Sequence, residues 1–139
     1  MARTDFAFSH RLRVRWSEVD PQRVVFNARY LDYSDIAVTE YYRAMRAGPH
    51  WRGEPEFHVR RAEVDYLQPI RADEEIDLLM RTVANGRTST TYVVEMHGTG
   101  REDLRAVVRG VAVHVDLESG RPTPLPDWWG GATHAVDAR

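Results

Sequence analysis

The sequence predicts an α+β fold, with a mostly antiparallel sheet packed on one main helix. Three features predict it. Residues 28–47 carry apolar side chains at helical spacing, the segments around Ile76–Met80 and Thr90–Met96 alternate on either side of an Asn85-Gly86 turn, and strand-like segments follow one another after that single helix. At 139 residues, 42% of them apolar, the chain has the length for one compact domain with a real core, so a single domain over 1–139 is expected.

Taken in order, Leu12, Val14 and Trp16 alternate as a short strand, and the dipeptide Asp20-Pro21 turns the chain. Apolar Val24-Val25-Phe26 follows, then Asn27, whose side-chain oxygen is suited to the N-cap of the helix. Leu31, Val38, Tyr42 and Met45 lie near one helical face, with Ile36, Ala37 and Tyr41 widening it, until Gly48-Pro49 stops the helix. Residues 49–56 read as a loop. Phe57 to Tyr66 is extended, but charge breaks its alternation, so either both faces are partly polar or one lines a subunit contact. Ile76, Leu78, Met80 and Tyr92, Val94, Met96 form the clearest hairpin. Gly98-Thr99-Gly100 turns into a Val-rich strand through Val115, in which Gly110 marks a bend or a close backbone approach. Beyond the Pro-rich segment 122–126, Trp128 and Trp129 are expected to pin the tail to the body. One helix covers one sheet face, so the other face and the sheet edge need a cover of their own.

Composition removes several function classes. A net charge of −2 gives no global field for nucleic acid or anionic membrane, and no apolar run is long enough to span a bilayer, so a cytoplasmic protein is expected. All 19 basic residues are Arg. There is no Cys, and the six His lack the close spacing of a metal-binding helix, so no metal or other cofactor is expected. A Gly-x-Ser-x-Gly elbow, a P-loop and a complete dinucleotide fingerprint are all missing.

What remains is the start of the helix. Its free N–H groups suit an anion or a polarised carbonyl, and Asp20 precedes them. Asp20 is either a base or nucleophile against that carbonyl, or simply an Asp that initiates a turn before Pro. Glu40 is the backup carboxylate. At ~1.5 Å per residue it lies roughly 20 Å beyond the cap, and a salt bridge or hydrogen bond holding helix to sheet is its plainer role. Trp16, Phe26, Tyr33 and Tyr41 suit the lining of an apolar ligand pocket and suit an ordinary core equally.

The pattern Asp20-Pro21-x-x-Val24-Val25-x-Asn27-x-x-Tyr30, with Thr39-Glu40 further along, resembles the opening of the 4-hydroxybenzoyl-CoA thioesterase family of hotdog-fold proteins. Tyr66-Leu67-Gln68-Pro69-Ile70, the Gly86–Ser89 turn and the strand Val107–Val115 extend the likeness over most of the chain. The resemblance implies a hotdog acyl-CoA thioesterase working as a homodimer or homotetramer with its sites at the subunit boundary. It further implies that Asp20 acts on a thioester carbonyl held by the amide near Asn27, with Phe26 and Tyr30 on the substrate side. Arg87, Thr88 and Ser89 match the place of a basic, hydroxyl-rich CoA contact, with Arg60 and Arg61 as alternatives. One departure stands out: the family often has Gly where this chain has Arg23, which implies an altered turn or a narrowed pocket. The rival reading is a hotdog module that binds an acyl thioester, or another hydrophobic ligand, without turnover. A weaker third reading is hydratase or dehydratase chemistry through a His and Glu40.

Overall fold

Alternating apolar residues and one tyrosine-rich helix face build the molecule, which a computed structural model describes over residues 1–139. In chain order the elements are β1 (Phe8–Arg13), α1 (Arg29–Arg46), β2 (Phe57–Tyr66), β3 (Glu75–Asn85), β4 (Ser89–Gly98), β5 (Leu104–His114) and α2 (Trp129–Asp137). The strands form one antiparallel sheet in the order β1-β3-β4-β5-β2. It is a hotdog fold. The register sets Leu78 opposite Met96 and Met80 opposite Val94, so both strands of the hairpin turn their apolar side chains toward α1. Gly110 has the close-approach role expected of it, because a Cβ there would lie 2.2 Å from the Tyr92 ring.

The helix differs from expectation in two respects. It begins at Arg29, and Ala28, not Asn27, is its N-cap, with no side-chain cap bond. Residues 26–30 instead make tight turns in which Arg29 N–H donates to the Phe26 carbonyl (2.8 Å) and Tyr30 N–H to the Asn27 carbonyl (3.4 Å). Its buried face is Tyr30, Tyr33, Ala37, Tyr41 and Met45, while Leu31 is exposed. Tyr30, Tyr33 and Tyr41 on this face win the core because each ring buries more area than one leucine.

The sheet face away from α1 is covered in part by the chain's own first residues. Asp77 is buried there and accepts from Arg3, from Arg11 Nε (2.8 Å) and from the Gly100 N–H (2.8 Å). Burial pushes its carboxyl upward, but the hydrogen bonds of Arg11, Gly100 and Arg3 outweigh that and hold it well below the usual carboxylate range. His97 accepts from the Asp103 N–H through Nδ1 (3.1 Å), so its Nε2 carries the proton and donates to Glu95 (3.0 Å).

The expected pinning by Trp128 and Trp129 is present, in the form of a second helix absent from the sequence reading. Trp129 is buried against Phe57, Tyr42 and Trp51, with ring centroids 4.5, 5.5 and 6.4 Å away. At the far end of α2, Asp137 accepts from the Tyr41 hydroxyl and the Thr82 N–H, each at 3.1 Å. β2 pairs only with β5, and most of its side chains are exposed, so the edge foreseen as a problem is open along its length.

Candidate functional site

A loop of about a dozen residues, Arg15 to Asn27, brings the sequence-selected groups to the start of α1. Its anchor is Glu18, a buried carboxylate that accepts from the Arg15 N–H (2.8 Å) and from the Tyr33 hydroxyl (3.0 Å). Burial, joined by the bond to Glu18, pushes the Tyr33 phenol far above its ordinary value and keeps it a donor. The Glu18 carbonyl accepts from the Phe26 N–H (3.0 Å), and the Val25 N–H donates to the Ile70 carbonyl (2.7 Å). The loop is thereby tied to both the helix and the segment before β3.

Within it, residues 19–25 form a tight hairpin. Val19 bridges to Val25, Asp20 N–H donates to the Val24 carbonyl and Arg23 N–H to the Asp20 carbonyl, both at 2.9 Å. Asp20 Oδ1 accepts from the Gln22 N–H (2.8 Å), so the turn role is real. Its other oxygen has no partner in the chain, and the residue is half-buried. Burial pushes the Tyr30 phenol above its ordinary value, and the charge of Asp20 acts in the same direction. Arg23 takes the turn position with φ +66°, a conformation that favours glycine, and its side chain is exposed. The turn therefore forms with Arg in place, and Arg23 lines none of the cavities described below.

The N–H groups of Asn27 and Ala28 donate to nothing in the chain, whereas the Asn27 carbonyl accepts from the Tyr66 hydroxyl (3.0 Å). Tyr66 stands edge-on to Tyr30 with ring centroids 4.8 Å apart. Tyr30, Tyr66, Leu67, Gln68 and Pro69 line a shallow cavity of about 180 Å³ beside this helix start. Phe26 is half-exposed on the same loop. Further along α1, a cavity of about 280 Å³ opens between the helix and β2, with Val38, Thr39, Tyr42, Phe57, Val59 and Tyr92 in its wall.

Other expectations resolve differently. Arg60, Arg61, Thr88 and Ser89, selected as two separate groups, share one cavity of about 450 Å³, with Val111 and Val113 as its floor. The Arg87 side chain is not in that lining; its carbonyl accepts from the Leu125 N–H (2.8 Å). Glu40 pairs with Arg43 of its own helix (3.1 Å) and ties nothing to the sheet. None of the histidines meets Glu40: His58 faces Glu56, His114 Nδ1 is 2.8 Å from the Pro124 carbonyl, and His97 lies on the opposite sheet face. Tyr33 and Tyr41 are core residues bonded through their hydroxyls, and Trp16 is largely exposed. No three His, Asp or Glu side chains converge as a metal site. No helix is long and apolar enough to cross a membrane.

The family profile described as the thioesterase-like superfamily matches residues 14–132, from the end of β1 into α2. The chain belongs to the thioesterase-like superfamily. Among solved structures similar to this superfamily member is a thioesterase from Thermus thermophilus complexed with coenzyme A and Zn. It is 34% identical with a TM-score of 0.83, and the match covers 97% of each chain. A protein of Pseudomonas aeruginosa is 25% identical with a TM-score of 0.85, over 97% of this chain and 94% of that one. A 1,4-dihydroxy-2-naphthoyl-CoA thioesterase from Synechocystis, 17% identical with a TM-score of 0.80 over 94% and 97% of the two chains, shares the fold. No protein of curated function matches by sequence.

Two contributors escaped the sequence reading of the site. Glu18 and Tyr66 owe their roles to partners 15 and 39 residues away. Tyr66 was visible as part of the Tyr-Leu-Gln-Pro segment, but its bond to Asn27 was not.

Proposed function

We propose that this thioesterase-superfamily chain hydrolyses an acyl-CoA thioester to a carboxylic acid and free CoA, with Asp20 driving the reaction at the start of α1. The observation that carries the reading is the pair of unpartnered N–H groups at Asn27 and Ala28, at the end of the same loop that carries a carboxylate with one oxygen left open. Such donors hold the oxygen that becomes negative as the thioester carbonyl turns tetrahedral, a contribution of about 3 kcal/mol for one well-aimed donor. Asp20 either takes a proton from the attacking water or adds to the carbonyl itself to give an anhydride that water then opens. Collapse expels the thiolate of CoA in either route, and the thiolate takes up a proton. Both routes need Asp20 ionised.

The acyl group runs along α1 toward the cavity walled by Val38, Tyr42 and Phe57, and the CoA phosphates lie against Arg60, Arg61, Thr88 and Ser89. Arg60 is six residues from Tyr66 along β2, about 20 Å at ~3.3 Å per residue. Antiparallel pairing of two open β2 edges shortens that separation between chains, which supports a homodimer with its sites at the boundary. Aryl thioesters, 4-hydroxybenzoyl-CoA among them, are one class the acyl cavity suits.

The test is release of free thiol from short-chain, long-chain and aryl acyl-CoAs by wild type and Asp20→Asn. Hydrolysis of one class by wild type, with a loss of at least about a hundredfold in the variant, supports the reading. An inactive wild type that binds acyl-CoA makes the chain a binding module; an unimpaired variant makes Asp20 a turn residue only.

A further inference from the structure

We infer that Tyr66 is a positioning residue for the carbonyl-holding amide of Ala28, acting through the peptide bond between Asn27 and Ala28. The inference rests on the thioesterase reading and adds a residue to it.

The geometry is specific. The Asn27 carbonyl and the Ala28 N–H belong to one peptide unit, and in a planar trans peptide they point in opposite directions. Whatever holds the carbonyl therefore aims the N–H. The Tyr66 hydroxyl holds it, donating to the Asn27 oxygen at 3.0 Å from the end of β2. The competing backbone donor, the Tyr30 N–H, is 3.4 Å away, so the phenol is the shorter of the two contacts. No side chain caps the helix and neither the Asn27 nor the Ala28 N–H has a partner, so this peptide plane has few other restraints. A donor on the carbonyl also polarises the peptide unit and strengthens the N–H as a donor on its other side. The Tyr66 ring is itself seated edge-on against Tyr30, which is buried. Tyr66 is half-exposed and contributes little to the core, so its hydroxyl has a cost in stability far smaller than its leverage on the site. The path also explains why an open edge strand matters to the helix start: β2 reaches the Asn27–Ala28 peptide through this hydroxyl.

The deciding variant is Tyr66→Phe, which keeps the ring against Tyr30 and deletes the donor. The expected result on the best acyl-CoA of the panel is a fall in kcat of about tenfold, as for partial loss of a transition-state hydrogen bond, with KM within about twofold and an unchanged melting temperature. A second readout is the infrared carbonyl stretch of the thioester bound to Asp20→Asn and to the double variant Asp20→Asn/Tyr66→Phe. The stretch is expected at higher frequency in the double variant, because the carbonyl is polarised less. Equal kcat, a change confined to KM, or an unmoved carbonyl stretch overturns the role of Tyr66 while leaving the thioesterase reading intact. A wild type that hydrolyses no acyl-CoA removes both together.

Discussion

The start of α1 and the outer face of the sheet are both crowded with polar groups, and they treat them in opposite ways. On the outer face Asp77 accepts from three residues, Arg3, Arg11 and Gly100, and Arg105 is held by Glu74, Asp103 and the Pro69 carbonyl. Those partners raise the Arg105 guanidinium above its already high ordinary value, the bonds to Glu74 and Asp103 outweighing burial. At the helix start two N–H groups and one carboxylate oxygen lack any partner in the chain, although the surrounding loop is well tied down. Saturated polar groups hold structure; unsaturated ones on a fixed scaffold are ready for a ligand.

The largest effect that can break this contrast is that of Asp20→Asn. It is expected to cost at least about a hundredfold in rate and to leave the urea midpoint almost unmoved, because the Asn side chain can still accept from Gln22. A variant that loses stability and activity in step would place Asp20 with the structural groups.

Asp77→Asn is the converse. Losing the charge beneath Arg3 and Arg11 is expected to cost about 2 kcal/mol in urea unfolding at pH 7 while kcat/KM stays within about twofold. The pH dependence has a fixed sign. Because the folded-state pKa of Asp77 lies below the unfolded value, its stabilisation is complete above about pH 4 and fades as the pH falls through the folded-state pKa. The stability gap between wild type and variant therefore narrows in acid. A gap that widened would contradict the network's assigned role.

Arg60 extends the contrast to a guanidinium with no acceptor in the chain. Arg60→Ala is expected to raise KM for acyl-CoA several-fold, by about 1 kcal/mol of lost phosphate contact, and to leave hydrolysis of an acyl-pantetheine unchanged. An equal effect on both substrates would move the nucleotide away from this cavity.

How far the sequence reached follows the range of the forces involved. The β3–β4 hairpin was legible because period-two alternation around Asn-Gly is a local signal, and it is built as expected. Asp20 was legible for the same reason, since a turn carboxylate and its Gln22 contact lie within three residues. Leu31 was misplaced on the helix's buried face because it reads as more apolar than Tyr30 and Tyr33, yet it is the tyrosines that reach the core, Tyr33 with a hydrogen bond to Glu18 as well. α2 was missed because a nine-residue segment with two adjacent Gly has little intrinsic helicity; its first residue, Trp129, is wedged among four other aromatic rings, and that tertiary packing supplies the stability. The Asn27 cap failed because the chain makes tight turns over residues 26–30 and the helix begins only at Arg29.

Arg23 offers the smallest and most discriminating change. A side chain at φ +66° costs roughly 1–2 kcal/mol relative to ordinary backbone, so the chain carries strain at the turn that aims Asp20. Arg23→Gly removes that strain but gives the unfolded chain more freedom, worth about 0.5–1 kcal/mol in the opposite direction. The net expectation is a gain of about 0.5 kcal/mol, read as a small rise in urea midpoint, with kcat/KM within about twofold. The turn's bonds explain the second half: Asp20 and Arg23 are joined through backbone atoms, which glycine retains. A loss of stability would show that the arginine side chain contributes more than its backbone costs. A rise in kcat/KM of about tenfold or more would instead mean that the strained residue holds Asp20 off its best line to the carbonyl, making the turn and not the carboxylate the limit on rate.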